Sequence, residues 1–239
     1  MGGETVQAPR IWALSARQHG VVARWQLLAL GLNARGIEHR LARGRLHRLW
    51  RGVYAVGRPD VSIHGRLMAA VLACGPNAVA SHRSAGWLYG LGPMLPARVE
   101  VSVPTNCAPR KSGISVHRRV LYEDDVTTHA GIPVTTPICT IIDLATCLGV
   151  DRLERVVNEA DRLGLTDPEE LRTAVESATR RPGAAVVGRL LDRHTFILTD
   201  SQLERRFLPI ARRAGLSRPK TGCMVNGFEV DFTGPSWGS

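Results

Sequence analysis

Residues 33–57 constrain the fold most, because helix and strand signals follow each other there almost without a loop. Asn33 is a favourable N-cap, and Ile37 and Leu41 place two apolar side chains on one face of the helix that follows. Gly44 ends this helix. Two short stretches of alternating hydrophobicity come next, as is typical of a half-buried hairpin. These stretches are residues 45–49 and 52–56.

Two further helices are predicted upstream of this segment. The apolar spacing predicts a short helix over residues 11–18, stopped by Gly20, and a second helix over residues 22–31, with Gly31 as its left-handed stop. Three helices followed by a hairpin form a winged helix-turn-helix. In that arrangement the third helix enters the major groove of DNA and the hairpin lies along the backbone.

Positive charge is concentrated in the same part of the chain. The sequence has a formal net charge of +10, and residues 1–60 hold ten arginines against three acidic residues. Such a field attracts polyanions, of which nucleic acid is the commonest. A solvated charged face is the alternative, and the scarcity of lysine also fits a coding bias toward arginine. The candidate DNA-binding residues are Arg35, Glu38, His39, Arg40, Arg43, Arg45, Arg48 and Arg51.

We expect two kinds of contact from this set. Arg35, Glu38 and His39 would approach base edges from the third helix, where a Glu carboxylate can accept from a cytosine amine. The arginines at the end of that helix and in the hairpin would meet phosphates. These arginines are Arg43, Arg45, Arg48 and Arg51.

Residues 61–195 are predicted to form a mixed α/β domain. Helical patterns over residues 62–91, broken at 74–77, are followed by strand patterns and then by four further helices. Ser81 is expected to cap a helix that carries His82 and Arg83, for which capping and packing are favoured over catalysis. The strands are predicted at residues 99–103, 114–121 and 131–134, and the later helices at 138–148, 150–163, from 166 and at 183–194.

Two features of this middle region are expected to be structural. Asp124 and Asp125 are neighbours, and in an extended strand their side chains would point to opposite faces, so we expect surface acids. The five cysteines form no C-x-x-C pair, and we expect reduced core thiols. They are Cys74, Cys107, Cys139, Cys147 and Cys223.

Residues 196–239 read as an amphipathic helix and a hairpin that turns at Asn226-Gly227. Glu204 on the helix and Asp231 at the end of the hairpin are candidate ligands for Mg²⁺, as in nucleases of the restriction-endonuclease fold. Such a site needs a further acid and a Lys or equivalent one strand later, and neither follows in this sequence. We therefore expect an incomplete and inactive nuclease segment, and no cofactor unless that segment functions with Mg²⁺.

A series of short motifs carries a family resemblance. They are residues 26–31 (QLLALG), 37–41 (IEHRL), 44–48 (GRLHR), 51–56 (RGVYAV), 81–84 (SHRS) and 131–136 (GIPVTT). By their order, residues 11–194 resemble the AbiEi-type antitoxins of bacterial type IV toxin-antitoxin systems. The resemblance implies a DNA-binding winged helix followed by an α/β domain that acts in repression and antitoxicity.

The last part of the chain resembles a second family. Residues 198–204 and 226–232 are similar to the opening of the Vsr-like endonuclease fold. By that resemblance, Glu204 and Asp231 match the first two acidic positions of the family's metal site. The combined expectation is an α+β protein with a winged helix-turn-helix over residues 1–60, an α/β antitoxin-like domain over 61–195 and an endonuclease-fold remnant over 196–239.

Several classes of protein are excluded by composition. No stretch approaches the roughly 20 apolar residues of a membrane-spanning helix, and the N-terminus lacks the pattern of a secretory signal. We therefore expect a cytoplasmic protein. The favoured function is an autorepressing, DNA-binding antitoxin without catalysis. The alternatives are a metal-dependent endonuclease delivered by the winged helix, and a middle domain that binds a toxin or another protein.

Overall fold

The computed structural model of the chain describes residues 3–92, 97–106, 111–178, 181–191, 223–225 and 228–230. Within these ranges the protein has the mixed α+β composition that was predicted. The chain divides into two compact units, residues 1–147 and residues 148–239.

The first unit begins with three helices and a three-stranded antiparallel sheet in the order β1-β3-β2. Its elements are α1 (Gly3–Arg17), β1 (Val21–Ala23), α2 (Arg24–Ala29), α3 (Ala34–Ala42), β2 (Leu46–Trp50) and β3 (Val53–Val56). One apolar core holds the helices on the sheet. The buried residues of this core are Ile11, Val22, Leu27, Leu32, Ile37, Leu46, Tyr54 and Val56.

The three predicted helices and the hairpin are all present, with two differences. The first helix starts at Gly3 rather than Ile11 and runs through Pro9. Residues 21–23, expected near the start of the second helix, form strand β1 instead. Val21 and Val22 are β-branched and fully buried, and pairing with β3 gives them a better environment than an exposed helix start would.

The rest of the first unit is built on a five-stranded mixed sheet in the order β6-β5-β4-β8-β7. The β4–β8 and β5–β6 pairs are parallel, whereas β4–β5 and β7–β8 are antiparallel. The elements are α4 (Ile63–Cys74), β4 (Val79–Ala80), α5 (His82–Leu88), β5 (Val99–Val103), β6 (Ile114–Arg118), β7 (Val126–His129), β8 (Ile132–Thr135) and α6 (Pro137–Leu144).

Asp124 and Asp125 were both expected to be surface acids, and this is correct for Asp124 only. Glu123–Asp125 form a 3₁₀ turn rather than extended strand, and Asp125 is buried while Asp124 is exposed. The Asp125 carboxylate accepts a hydrogen bond from the backbone N–H of Tyr122 at 3.2 Å. It closes the turn, and this local hydrogen bond makes burial of the carboxylate tolerable.

The second unit contains three helices and a hairpin among its described residues. They are α7 (Val150–Arg162), α8 (Pro168–Ser177), α9 (Ala184–Leu191), β9 (Cys223–Val225) and β10 (Phe228–Val230). The α7 helix is strongly amphipathic and buries Leu153, Val156, Val157 and Ala160. Strands β9 and β10 pair antiparallel, with Val225 opposite Phe228. The predicted turn residues Asn226 and Gly227 are not among the described residues. Glu204 and Asp231 lie outside the described residues.

Three of the cysteines lie in the described part of the first unit. Cys74 and Cys139 are buried and form no disulfide among the described residues, as expected, whereas Cys147 is exposed. Burial raises the pKa of the Cys74 thiol to about 11, so this sulfur stays protonated and unreactive. In the part of the chain that the structure describes, no cluster of His, Cys, Asp or Glu could hold a metal ion.

Candidate nucleic-acid interface

Helix α3 presents one face to the core and the other to solvent. The Asn33 side chain accepts a hydrogen bond from the Gly36 N–H at 2.8 Å and so starts the helix, as predicted. Ile37 packs inward, fully buried. Seven of the eight predicted DNA-binding residues are exposed on α3, on the turn that follows it or on the β2–β3 hairpin. These are Arg35, Glu38, His39, Arg43, Arg45, Arg48 and Arg51.

Arg40 is the exception, and its prediction as a DNA contact is corrected by its burial. Only 6% of the residue is accessible, and its Nη1 donates to the Gly36 carbonyl at 3.3 Å within the same helix. Arg40 follows the buried Ile37 by three residues, a spacing that puts both on the same side of a helix. A phosphate at the surface cannot reach a guanidinium that is turned inward in this way.

An open groove of about 570 Å³ lies between α3 and the β2–β3 hairpin, and we call it the basic groove. It is lined by Arg24, Glu38, Arg48, Arg51, Gly52, Tyr54 and Lys111. Among these lining residues, four carry positive charge and Glu38 is the single acid. The groove therefore gathers like charges that water must screen, an arrangement that favours a bound polyanion.

Glu38 neutralises little of the positive charge in the basic groove. The Arg48 Nη2 lies 3.8 Å from Glu38 Oε1, and both side chains are more than half exposed. An ion pair of this kind is worth roughly 0–1 kcal/mol and is easily exchanged for another partner. Arg48 and Glu38 are thus both available to a ligand in the groove.

Two of the groove's cations were missed from the sequence. Arg24 follows strand β1, and its backbone N–H donates to the Gly52 carbonyl at 2.8 Å, so pairing of β1 with β3 brings it beside the hairpin turn. Its position depends on β1, in a segment where the sequence pattern predicts a helix. Lys111 belongs to the turn before β6, and no local pattern links it to the hairpin. Lys111 is brought to the groove by contacts between residues far apart in the chain, and a single sequence does not reveal such contacts.

A second polar cluster lies where helices α5 and α6 meet strands β5 and β6. The His82 and His117 rings stack, and the His117 Nε2 lies 3.7 Å from Glu100 Oε1. Arg119 pairs with Asp143, and the Ser102 hydroxyl donates to the Ser81 Oγ at 2.8 Å. These contacts come from four separate elements, so the cluster joins the helices to the sheet.

The cap expected from Ser81 is absent among these described contacts. Ser81 stands at the N-cap of α5 without a capping hydrogen bond from its side chain. Its fully buried hydroxyl is used instead by Ser102 and by His82, whose Nδ1 is 3.1 Å away. The motif at residues 81–84 therefore takes part in a buried hydrogen-bond network. Of the two expected roles, packing is found and capping by the Ser81 side chain is not.

Burial also sets the protonation of this cluster. It lowers the pKa of His82 to about 4, with the nearby His117 acting in the same direction. Burial alone would raise the pKa of Glu100, but the neighbouring His117 and the hydrogen bond from the Arg83 N–H outweigh it, and the pKa is lowered. At neutral pH the cluster thus holds a neutral His82 beside ionised Glu100.

The described helices include none that is both long and apolar enough to cross a bilayer.

Comparison with known proteins finds relatives, a solved structure and a family model that are similar to parts of this chain. Two curated relatives, the uncharacterized proteins MT2308 and Rv2248 of two Mycobacterium tuberculosis strains, are 28% identical over 201 residues, or 80% of this chain and 71% of each relative. The crystal structure of the RV2827C protein from the same species covers 83% of this chain and 80% of its own, at 17% identity and a TM-score of 0.48. Residues 77–193 match the model of the AbiEi antitoxin C-terminal domain. Over these residues the chain is similar to the C-terminal domain of AbiEi-type antitoxins.

Proposed function

We propose that the protein is a sequence-specific, double-stranded-DNA-binding regulator, an autorepressing antitoxin of a type IV toxin-antitoxin system. In this proposal, the first three helices and the three-stranded sheet act as a winged helix-turn-helix. The observation that carries the proposal is the basic groove, in which Arg24, Arg48, Arg51 and Lys111 face a single acid between a helix and a hairpin. The family match at residues 77–193 supports the antitoxin part.

The exposed side of α3 is proposed to read bases. Arg35 and His39 are exposed and four residues apart, so they project from the same face of the helix. Glu38 is exposed beside them and can accept from a cytosine amine once Arg48 moves to a phosphate. Arg43 and Arg45 lie past the end of α3 and would hold the flanking phosphates.

The proposal is tested by measuring DNA affinity against salt. The probe is a labelled duplex from the region upstream of the protein's own coding sequence, with a scrambled duplex of equal length as reference. The double variant Arg48→Gln/Arg51→Gln should weaken binding to both duplexes and flatten the salt dependence by about one unit per arginine. Arg35→Ala should instead reduce discrimination between the duplexes, with a cost of about 1–3 kcal/mol for the upstream site.

Two results would overturn the proposal. One is equal affinity of the unmutated protein for both duplexes, and the other is a salt dependence that the double variant leaves unchanged. The endonuclease alternative is tested on supercoiled DNA with Mg²⁺ or Mn²⁺. Nicking that Glu204→Ala abolishes would replace the regulator with a nuclease.

Neutralising a cognate toxin is the other part of the proposed antitoxin activity. The family match supports it, because the matched family is named for antitoxins. Co-expression with the product of the neighbouring gene, followed by purification through a tag on this chain and a growth assay, tests it. Failure to relieve toxicity would remove the antitoxin part and leave the regulator part in place.

A further inference from the structure

We infer that strand β7 is a docking edge for an extended, basic segment of a protein partner, which would add to the five-stranded sheet as a further strand. The inference goes beyond the proposed DNA binding and does not depend on it. Strand β7 lies inside residues 77–193, which match the antitoxin model, so the edge would give this region a protein-binding surface.

The first observation is the position of β7 in the sheet. Among the described residues, β7 and β6 are the two outer strands of the order β6-β5-β4-β8-β7. An outer strand presents a row of backbone N–H and C=O groups with which another extended chain can pair. Such a row recognises the backbone of a polypeptide.

The register with β8 shows which groups of β7 point outward. His129 and Ile132 flank the two-residue turn, and the Thr136 N–H donates to the Asp125 carbonyl at 2.9 Å. Because the ladder hydrogen bonds of an antiparallel pair involve every second residue, residues 125, 127 and 129 face β8. The residues between them direct their backbone N–H and C=O groups away from β8. These residues are Val126 and Thr128.

Strand β7 itself carries none of the features that usually prevent strand addition. Edge strands are commonly protected by charged side chains, by proline or by a bulge. Strand β7 reads Val-Thr-Thr-His and pairs with β8 without a register shift. The opposite edge, β6, ends in Arg118 and is followed by Arg119. The two edges therefore differ, and β7 is the one that accepts a partner more readily.

The hairpin that carries β7 is held in place before any partner binds. The His129 ring packs against the Tyr89 ring with centroids 4.8 Å apart, and the Tyr89 hydroxyl donates to the Thr135 carbonyl at 2.9 Å. At the tip of the hairpin, the His19 Nε2–H donates to the Ala130 carbonyl at 2.6 Å. A strand that is already fixed loses little conformational entropy when a partner pairs with it.

The charge beside the edge determines the kind of partner. Residues 120–151 contain no Lys or Arg, although the whole sequence has a net charge of +10. Glu123 and Asp124 are exposed in the turn that precedes β7. Their carboxylates would repel a phosphate backbone and attract Lys or Arg side chains of an added strand. A basic polypeptide segment fits this edge, whereas DNA does not.

The first test measures the binding of two labelled peptides of equal length to the full chain by fluorescence anisotropy. One peptide alternates Val and Lys, and the other alternates Val and Gln. The Val-Lys peptide should bind about tenfold more tightly, because its cations meet the two carboxylates beside β7. Equal affinities for the two peptides, or no binding of the Val-Lys peptide, would overturn the inference.

Hydrogen–deuterium exchange followed by NMR locates the bound peptide. The amides of Val126 and Thr128 should exchange rapidly in the free protein and at least about tenfold more slowly with the Val-Lys peptide. The amides of Thr127 and His129 are the internal control, since they pair with β8 and are protected in both states. If the peptide binds and the outward amides stay unprotected, it binds elsewhere and the inference is wrong.

Thr128→Pro removes one outward N–H and leaves the β7–β8 ladder intact, because Thr128 lies opposite Pro133 in a pair without ladder hydrogen bonds. It should weaken binding of the Val-Lys peptide by about tenfold. Thr128→Val keeps the N–H and is the matched control, which should bind like the unmutated protein. Equal affinities of these two variants would contradict strand addition.

The double variant Glu123→Gln/Asp124→Asn tests the charge. It should weaken binding of the Val-Lys peptide and reduce the dependence of that binding on salt, because it removes both exposed carboxylates. Its affinity for the Val-Gln peptide should not change. An unchanged affinity for the Val-Lys peptide would show that the partner need not be basic.

A Val-Lys peptide with every backbone nitrogen methylated tests strand addition on the unmutated protein, in case Thr128→Pro fails to fold. It keeps the charges but cannot donate to β7, so it should not bind. Binding as tight as that of the unmethylated peptide would rule out strand addition. Self-association of the free chain that protects the outward amides would make a second copy the occupant and would also overturn the inference. The salt dependence of DNA binding tests the proposed function separately from all these results.

Discussion

The imidazole rings of His82 and His117 stack with their centroids 3.7 Å apart and their planes inclined by 15°. His82 also has a φ of +50°, an uncommon conformation for a residue other than glycine. Its Nδ1 lies 3.7 Å from Asp143 Oδ2. His82 combines this strained backbone with a partly buried side chain, and the surrounding network holds it in this position. Its protonation should therefore affect the stability of the whole unit.

We predict that the protein loses stability as the pH falls from about 6.5 to about 4. Burial lowers the pKa of His82 in the folded protein to about 4, against 6.5 for an unperturbed histidine. Between these values the unfolded chain binds a proton that the folded chain does not, so acid favours unfolding. The free energy of unfolding should fall by up to about 3 kcal/mol over this window. Urea denaturation at a series of pH values measures it.

His82→Asn is the matched variant for this effect. Asparagine tolerates a positive φ and does not titrate, so the variant should lose part of its stability at neutral pH yet depend less on pH between about 6.5 and 4. The difference in stability between the two proteins should therefore shrink as the pH falls. Parallel pH profiles would show that His82 is not the group responsible.

Arg40 and Arg43 should separate a structural arginine from a DNA-binding one. Arg40 is 6% exposed and hydrogen-bonded within α3, so Arg40→Met should lower the free energy of unfolding by about 1–2 kcal/mol and leave the salt dependence of DNA binding unchanged. Arg43 is exposed past the end of the helix, so Arg43→Met should change stability by less than about 0.5 kcal/mol.

Salt titrations and thermal melts on both variants measure the contrast. Arg43→Met should also reduce the salt slope by about one unit, since it removes one phosphate contact. A reduced slope for Arg40→Met in a stably folded protein would contradict its assignment to the interior.

Local signals predicted the helices well, because each signal reports a short-range interaction. Asn33, Thr136 and Asp167 all accept a backbone hydrogen bond in the first turn of the helix that they cap. The spacing rule that identified α3 would also have placed Arg40 inside, had it been applied to charged as well as apolar residues. This misassignment came from treating every arginine as a surface group.

What the sequence could not reveal depends on contacts between distant residues. Strand β4 has two residues, too few for any alternation, and β7 reads Val-Thr-Thr-His with one apolar side chain. Both strands exist because neighbours in the sheet pair with them. Lys111 joins the basic groove for the same reason, since only the folded chain brings its turn to the hairpin.

The hairpin turn between β7 and β8 contains a residue, Ala130, whose replacement should increase the stability of the protein. His129 pairs with Ile132, so Ala130 and Gly131 form a two-residue connection, and their φ values are +48° and +74°. Positive φ at both positions is the type I′ turn, which favours Asn-Gly. Alanine in this conformation costs roughly 1–2 kcal/mol because its Cβ approaches the carbonyl oxygen.

Ala130→Asn should therefore raise the free energy of unfolding by about 1 kcal/mol, since asparagine adopts a positive φ at lower cost. The Ala130 carbonyl, which lies 2.6 Å from His19 Nε2, is a backbone group and is retained in the variant. Thr127→Asn, an exposed substitution within β7, is the control and should be neutral or slightly destabilising because asparagine is a poor strand former. Urea denaturation of both variants measures the effect. Equal stability of Ala130→Asn and the unmutated protein would mean that this turn stores no strain.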